Sequence, residues 1–448
     1  MTTIGEPRRP FVPFGILAFI LVQCVAVDAA FAQELRLSLA EAQDRAVAAS
    51  HRLAEVRARA ATAAATVAVR EAADRPIVGA GAGYTRTNHV PDFVFPGFAG
   101  IPVRLYPDVP NNYRTRLDLQ WPIYSGGRTD ALERAAEAEA SAAAADVAAA
   151  QADLRLEVAR AFWALVTARA ATAVLDRGVA RAQANVGDVT QRLKAGVVPP
   201  NEVASAEAQE SRQRMLLIET RNQADQSSAE LARLIGEDVL QPIAPAAELA
   251  LGPMEGLSVQ DLAAAARSAR DERRALLQRI DAAEQLVAAA EGSSRPAIAI
   301  TGGVDYARPN PHIFPRADRW DSSWDAGVSA TWALWDGGRA DAEAAQARTV
   351  VDAARQRLAE FDSVVALEVR QRLLDIDSGR AALAASDDAV RAATEARRVI
   401  AERYRAGVAI QTDVLDADVV LLQAELDRTR AIATVRFAEA RLARAVGK

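Results

Sequence analysis

The chain has 448 residues, a formal net charge of −6 and a composition that is 50% apolar but only 5% aromatic. Three His, three Met and one Cys leave almost nothing from which to build a metal site or a thiol active site, and the mild acidic balance lacks the basic footprint of a nucleic-acid binder. Acidic and basic residues are mixed along Ala-rich runs rather than gathered in blocks, the pattern of a solvated helical surface.

Residues 1–32 read as a signal peptide. Arg8 and Arg9 precede the apolar run 11–27, and Ala30-Phe31-Ala32 places small residues at the two positions a signal peptidase reads. Cleavage after Ala32 would remove the single cysteine. Leu21-Val22-Gln23-Cys24 keeps lipidation at Cys24 open as the alternative, with Gln23 counting against it. No later stretch reads as long and apolar enough for a membrane-spanning helix.

The remaining chain opens on a capping box, Ser38 with Glu41, and a helix is predicted to about Ala73, ended by Arg75-Pro76. Two strands follow, 77–87 and 113–123, separated by a loop that carries Pro91, Pro96, Pro102, Pro107 and Pro110. In the second strand Tyr113, Thr115, Leu117, Leu119, Trp121 and Ile123 share one face, and Arg114, Arg116, Asp118 and Gln120 the other. Gly79, Gly81 and Gly83 recur at period two with no helix behind them. They therefore mark a strand face kept small for a neighbour or a lumen, not a nucleotide loop.

Trp121-Pro122-Ile123-Tyr124-Ser125-Gly126-Gly127-Arg128 then joins strand to helix. Gly126 and Gly127 turn the backbone without a Cβ penalty, and Ser125 is the candidate N-cap. From Arg128 to Lys194 there is no proline and only two interior glycines, Gly178 and Gly187, giving about 100 Å of helix if continuous. Leu175, Val179, Ala182, Val186, Val189 and Leu193 form a coiled-coil seam. The chain turns between Gly196 and Pro200 and returns through Val203, Ala206, Gln213 and Leu217. Residues 237–257, with Pro242, Pro245 and Pro253, read as a linker or equatorial region.

All of this then recurs. Leu257-Ser258-Val259 repeats the opening, Arg295-Pro296 the helix end, and Trp332-Ala333-Leu334-Trp335-Asp336-Gly337-Gly338-Arg339 the joint, with Asp336 as its N-cap candidate. Arg403-Tyr404-Arg405-Ala406-Gly407-Val408 answers Arg192-Leu193-Lys194-Ala195-Gly196-Val197, and Leu415, Val419, Leu422 and Leu426 are predicted to continue the seam. The second pair of strands is 297–306 and 320–334, with Trp320, Trp324, Val328 and Trp332 on the greasy face. The fold class is therefore α+β with an internal duplication. The first copy is 33–236 (β-hairpin 76–125, long helical hairpin 127–236). The second is 258–448 (β-hairpin 296–336, long helical hairpin 338–447).

Tyr113 and Trp121, like Trp324 and Trp332, bracket about 26 Å of strand at ~3.3 Å per residue. That matches the ~25 Å apolar band between the aromatic girdles of a membrane barrel. Four strands cannot close, since the smallest such barrels use about eight, and an open edge in lipid leaves backbone groups unpaired. Several chains must therefore complete one barrel.

With the signal peptide, the doubled Gly-Gly-Arg joint and the paired coils in hand, the chain resembles the TolC-like outer membrane efflux proteins over about residues 38–447. The most specific residues are Tyr404-Arg405-Ala406-Gly407 followed by Asp413-Val414-Leu415-Asp416-Ala417, which are similar to the family's coil-tip signature. The resemblance implies a homotrimer in outer-membrane lipid of a Gram-negative bacterium. Four strands per chain would form one barrel, continued by an α-helical tube across the periplasm. It implies a passive exit duct without cofactors, serving tripartite efflux or type I secretion. Solutes would come from an inner-membrane pump (RND, ABC or MFS type) through a periplasmic adaptor meeting the tip turns at Gly196, Val197, Gly407 and Val408.

Asp413 and Asp416 share a helix face about 4.5 Å apart along the axis. From position alone they are N-terminal placements with Thr412 or Asp413 as cap; in the trimer that the resemblance implies they become two stacked carboxylate rings, which select cations. Tyr404 is either seam filler in the place of Leu193 or the partner of Glu202 on the neighbouring coil, as in the family's closed tips. The family often adds a base near this turn, but position 409 is Ala, and Arg403 and Arg405 are the nearest candidates. In the first copy Glu202 and Ser205 stand where the second has Asp413 and Asp416. A periplasmic coiled-coil adaptor or structural protein would share the helices without needing four girdled strands. A secreted enzyme would need a nucleophile–base or metal constellation, whereas His51, His89 and His312 are scattered with no partner at ligand spacing.

Overall fold

The computed structural model describes residues 34–97, 101–247, 249 and 258–447. The expected signal peptide and the lipidation alternative at Cys24 lie outside them.

The first copy comprises β1 (Leu35–Leu37), α1 (Leu39–Ala49), α2 (His51–Glu71), β2 (Ile77–Arg86), β3 (Phe93–Pro96), β4 (Pro102–Tyr106), β5 (Asn111–Tyr124), α3 (Arg128–Lys194) and α4 (Pro200–Ile235). Then come β6 (Ile243–Pro245) and the second copy: α5 (Val259–Ala269), α6 (Asp271–Gly292), β7 (Ala297–Arg308), β8 (Asp321–Thr331), α7 (Arg339–Arg405) and α8 (Gln411–Val446).

The Ser38–Glu41 capping box is formed: Glu41 N donates to Ser38 Oγ at 3.3 Å and Ser38 N to the Glu41 carboxylate at 2.8 Å. The single helix expected to Ala73 is two. Ser50 is extended; its N–H closes α1 on the Ala46 carbonyl while its hydroxyl accepts from Leu53 N at 3.2 Å to open α2. The break recurs at Arg270, between α5 and α6. The presumed plain loop after β2 carries the β3–β4 hairpin, and the linker contributes β6, which pairs in parallel with β1.

One antiparallel sheet runs in the order β2-β5-β7-β8. Gly81 pairs with Arg116, Arg116 with Asp305 and Gly303 with Asp325, so small and charged residues share one face. Leu117 pairs with Val304 and Val304 with Trp324, so the apolar residues share the other. The alternation is as predicted. β8 stops at Thr331, short of the predicted 334, and Trp332 stands past the ladder with its indole donating to the Ser294 carbonyl at 3.0 Å. Trp121 does the same to Asp74 at 3.1 Å.

Both long helices are unbroken over 67 residues and both return helices have 36. Near the sheet, Ala131, Ala135, Ala138, Ala142, Ala145 and Ala149 are all buried on α3, and Ala142 and Ala145 pack on Ala275 of α6. Alanine at this spacing lets helix axes approach closely and buries little per residue. By length and composition α3 does hold a stretch able to cross a membrane, contrary to expectation, but half of that stretch is buried inside the fold. Farther along, equivalent positions build equivalent cores: Leu154, Val158, Leu165 and Leu231 in the first copy, Val365, Val369, Ile376 and Leu442 in the second.

A partly buried ion network ties the copies together. Arg444 of α8 reaches Asp153 of α3 at 2.9 Å and also Glu272 of α6. Arg270, at the α5–α6 break, reaches Glu272 at 3.0 Å and Glu368 of α7 at 2.6 Å. Burial works against the Glu272 charge, but hydrogen bonds from Arg270 and Arg444 outweigh it and bring its carboxyl to about 2. Glu272→Gln should cost ~1–3 kcal/mol at neutral pH by leaving charged donors short of a partner. Because the folded-state value is depressed, this contribution is complete above about pH 4.5 and disappears as pH falls toward 2. Helical melting curves of wild type and variant should therefore converge in acid; a gap unchanged at pH 2 would contradict the assignment.

Candidate functional site

Four helix ends meet at the end of the molecule remote from the sheet. The two turns are alike: Gly196 and Gly407 take φ of +72° and +74°, a conformation that favours glycine, and Val197 and Val408 donate back to Arg192 and Arg403 carbonyls at 2.9 and 3.0 Å. Both valines are exposed. Pro200 starts α4, where its missing N–H costs nothing.

Tyr404, from the last turn of α7, is buried between the coils, and the Arg192 guanidinium of α3 lies 4.4 Å above its ring centroid. Its hydroxyl and Oε2 of Glu202 are both buried without a partner at hydrogen-bond geometry within one chain, so of the two readings of Tyr404 a single chain displays the seam packing. Burial pushes the Tyr404 hydroxyl up; the Arg192 charge opposes this, and Glu202 and Asp188 add to it. Gln411, at the start of α8, is 2% exposed, and neither of its amide atoms finds a partner.

The residue that caps α8 is Ile410, not Thr412 or Asp413. Asp413 sits in the first turn and accepts from Ile410 N at 3.2 Å. Asp413 and Asp416 are exposed and line one groove between α7 and α8, together with Arg403. Arg403 thus lies beside the carboxylates, while its first-copy equivalent, Arg192, stacks on Tyr404.

Sequence reasoning missed Asp418, which is buried and accepts from Arg397 Nε at 2.5 Å, bracing α8 to α7. The signal was available, since Asp418 stands one heptad after Gln411. The inner seam of α8 runs through Val414 and Leu421 rather than Leu415 and Val419; Val419 is exposed. Leu422 and Leu426 face the other coil instead, packing with Leu175, Val179 and Leu217. Gly178 makes room for them, since a Cβ there would lie 3.2 Å from Leu422.

At the strand–helix joints Gly126, Gly127, Gly337 and Gly338 all have φ between +71° and +85°. The second glycine of each pair is the N-cap, but Ser125 and Asp336 still do capping work from two residues ahead. Ser125 Oγ accepts from Thr129 N at 3.1 Å, and the Asp336 carboxylate from Gly338 N and Ala340 N at 2.9 and 2.8 Å. Those amides hold the Asp336 carboxyl below its ordinary range. The first joint is docked: Arg295, past the end of α6, donates to the Gly126 carbonyl at 3.2 Å, and a Cβ on Gly126 would strike the Gly292 carbonyl at 2.5 Å. Around Gly337 and Gly338 there is open space.

The fold also gives two of the scattered histidines acidic neighbours. His89 Nδ1 lies 2.7 Å from Asp108, and His312 Nε2 lies 3.5 Å from Asp305. Asp305, His312 and Asp325 bring one ligand atom each within 4.8 Å of one another. Arg116 donates to both carboxylates and Arg114 to Asp305, so guanidinium groups hold the place a cation would take. The donor set does not fit a metal.

The unpaired hydroxyl makes Tyr404 a discriminating position. Tyr404→Phe should leave the tip's local stability within ~0.5 kcal/mol of wild type or improve it, while Tyr404→Ala should cost ~3 kcal/mol of packing. Hydrogen exchange of amides 400–415 reads both; a Phe variant that opens as readily as the Ala variant would mean that the hydroxyl finds a partner in the assembled protein.

A model of the outer membrane efflux protein family matches residues 42–237 and 258–448. The solved VceC outer membrane protein of Vibrio cholerae superposes with a TM-score of 0.74 at 19% identity, covering 91% of this chain and 96% of that one. The MtrE outer membrane channel of Neisseria gonorrhoeae, solved in its open state, gives 0.74 at 19% identity over 91% and 88%. The Campylobacter jejuni CmeC outer membrane channel gives 0.75 at 17% over 91% and 85%. In sequence the chain is similar to protein CyaE of Bordetella pertussis, 29% identical over 194 residues, a match spanning 43% of this chain and 37% of that protein's length.

Proposed function

Since the chain belongs to the outer membrane efflux protein family, we propose that it is the outer-membrane exit duct of a tripartite efflux or type I secretion system. Solutes would be delivered by an inner-membrane pump and a periplasmic adaptor that meets the exposed Val197 and Val408 turns. The observation that carries this reading is a sheet with one apolar and one charged face, joined through paired glycines to helices about 100 Å long. That is a lipid-facing wall continued by a periplasmic one. A coiled-coil adaptor would have no use for the sheet.

Assembly follows from what one chain leaves bare. β2 and β8 are open edges, and α7 exposes Val350, Val364, Leu367 and Leu374. The second Gly-Gly joint is undocked while the first rests on α6. By the repeat, the end of α2 is the equivalent of the end of α6, and Arg75 the equivalent of Arg295. Docking Gly337 of one chain on Arg75 of the next is a head-to-tail contact that closes as a ring; with three copies the ring has twelve strands. Arg75→Glu should then lower the trimer's resistance to dissociation in detergent while leaving helix content unchanged. A wild-type protein that is a stable monomer by light scattering would refute the ring itself.

In that ring Asp413 and Asp416 become six carboxylates around one constriction, with Arg403 as the nearest counter-charge. Replacing both by Ala should weaken cation selectivity and block by multivalent cations in planar bilayers. Selectivity and block equal to wild type would reduce the pair to helix-terminal charges.

A further inference from the structure

We infer that the β7–β8 loop is folded into the barrel as a second constriction, at the outer mouth, and that Asp305, Asn310 and His312 set the girth of solute that passes it. This rests on the barrel reading above.

In a single chain the charged face of the sheet is open: Gly79, Gly81, Gly83, Asp325 and Ser329 are all exposed. At the end of β7 farthest from the joints the same face is covered along β7. Asp305 and Ala307 are 0% and 1% exposed, and Asn310, just beyond, 2%. The cover is this chain's own loop together with the Arg114 and Arg116 guanidinium groups of β5. Pro309, Pro311 and Arg316 of the loop face the still-exposed Gly81, Gly83 and Arg114 across an open cavity of about 480 Å³.

The fold-back is fastened from within. Asn310 Nδ2 donates to the Asp321 carbonyl at 2.9 Å and to Ser323 Oγ at 3.0 Å, and Asn310 Oδ1 accepts from His312 N at 2.9 Å. That turns the His312 ring toward Asp305, 3.5 Å away. A second fastening comes from the other loop. Arg316 N donates to the Leu105 carbonyl at 3.3 Å, and its guanidinium donates to Asn112 Oδ1 at 2.9 Å and stacks on Tyr106, so the β3–β4 hairpin backs the lid. Arg114, Arg116, Arg316 and Asp118 line the cavity, and Asp305 and Asp325, outside its lining, pair with Arg114 and Arg116. With those pairs counted the charges balance, so this constriction sorts by size, unlike the acidic tip.

Ser329 lies on the same face of β8, nearer the joints and so beneath the lid. A Ser329→Cys chain, whose only other cysteine is Cys24, is treated in intact cells from outside. One reagent is a small charged methanethiosulfonate, the other a bulky polyethylene-glycol maleimide. The small reagent should react readily. The bulky one should react about tenfold faster when Asn310→Ala and His312→Ala are added, with the small-reagent rate unchanged. Asp305→Asn, which keeps the side-chain shape, should give the same acceleration if the double variant fails to assemble. Equal bulky-reagent rates with the native and altered loops would overturn the lid. If the small reagent cannot reach Ser329→Cys in protein that still runs as a heat-modifiable oligomer, this face does not line the lumen and the barrel reading fails with it.

Discussion

A strand edge surrounded by hydrocarbon has nothing to bond to, and this constraint governs the molecule. β2 and β8 each present a full row of backbone donors and acceptors with no partner in the chain. Four strands of this length are too few to curl on themselves, so the apolar face cannot be used alone. The rest of the architecture is consistent with that requirement. The sheet order β2-β5-β7-β8 is matched by helices packed in the order α2-α3-α6-α7, so α2 and α7 are the outer helices as β2 and β8 are the outer strands. In the proposed ring, an interface that begins as strand pairing in lipid would continue as helix packing in water.

The repeat is close in backbone and loose in chemistry. Equivalent helices have equal lengths and equivalent core positions, yet equivalent polar side chains have diverged. Arg233 reaches Glu230 on its own helix, whereas Arg444 crosses to Asp153 and Glu272. Leu193 fills a seam, and Tyr404 in its place lies under a guanidinium contributed by the other copy. Ser50 caps a helix with its hydroxyl; Arg270 at the same break carries an ion network. In the Arg233/Arg444 and Leu193/Tyr404 pairs the first-copy residue serves its own unit and the second-copy residue reaches the other, while Arg270 braces the second unit from within. Two units that were merely alike would have no reason to stay in register side by side.

Much of this was legible in the residues because period and punctuation are local. The sheet faces followed from alternation at Arg114, Arg116 and Asp118, the joints from Gly-Gly, and the long helices from the absence of proline. What stayed hidden is non-local. β1 and β6 are three residues each and exist only because they pair with one another across the chain. The Ser50 break interrupts a run whose helical periodicity continues on both sides, so nothing but a single hydroxyl announces it. The seam of α8 was displaced because that helix has two apolar faces, one for α7 and one for α3, and a single-stripe template merges them. At the tip, Asp413 and Asp416 lie together in one groove, and Tyr404 and Glu202 lie close without meeting hydrogen-bond geometry within one chain. Hydrogen-bond closure depends on tenths of an ångström that spacing does not encode.

The tryptophans at the rim have a mechanical consequence. Trp121 and Trp332 direct their indole N–H groups to carbonyls at Asp74 and Ser294, where helices end, so the joint end of the sheet is bolted to the helical layer below it. Beneath that end α3 and α7 run 67 residues each without a proline to bend them. The molecule is therefore a ruler with its zero mark at the membrane. Whatever meets the tip must stand about 100 Å below the outer surface's inner rim, and one heptad added to all four long helices would move that meeting place by roughly 10 Å. A heptad added to one helix alone would tilt the tip out of level.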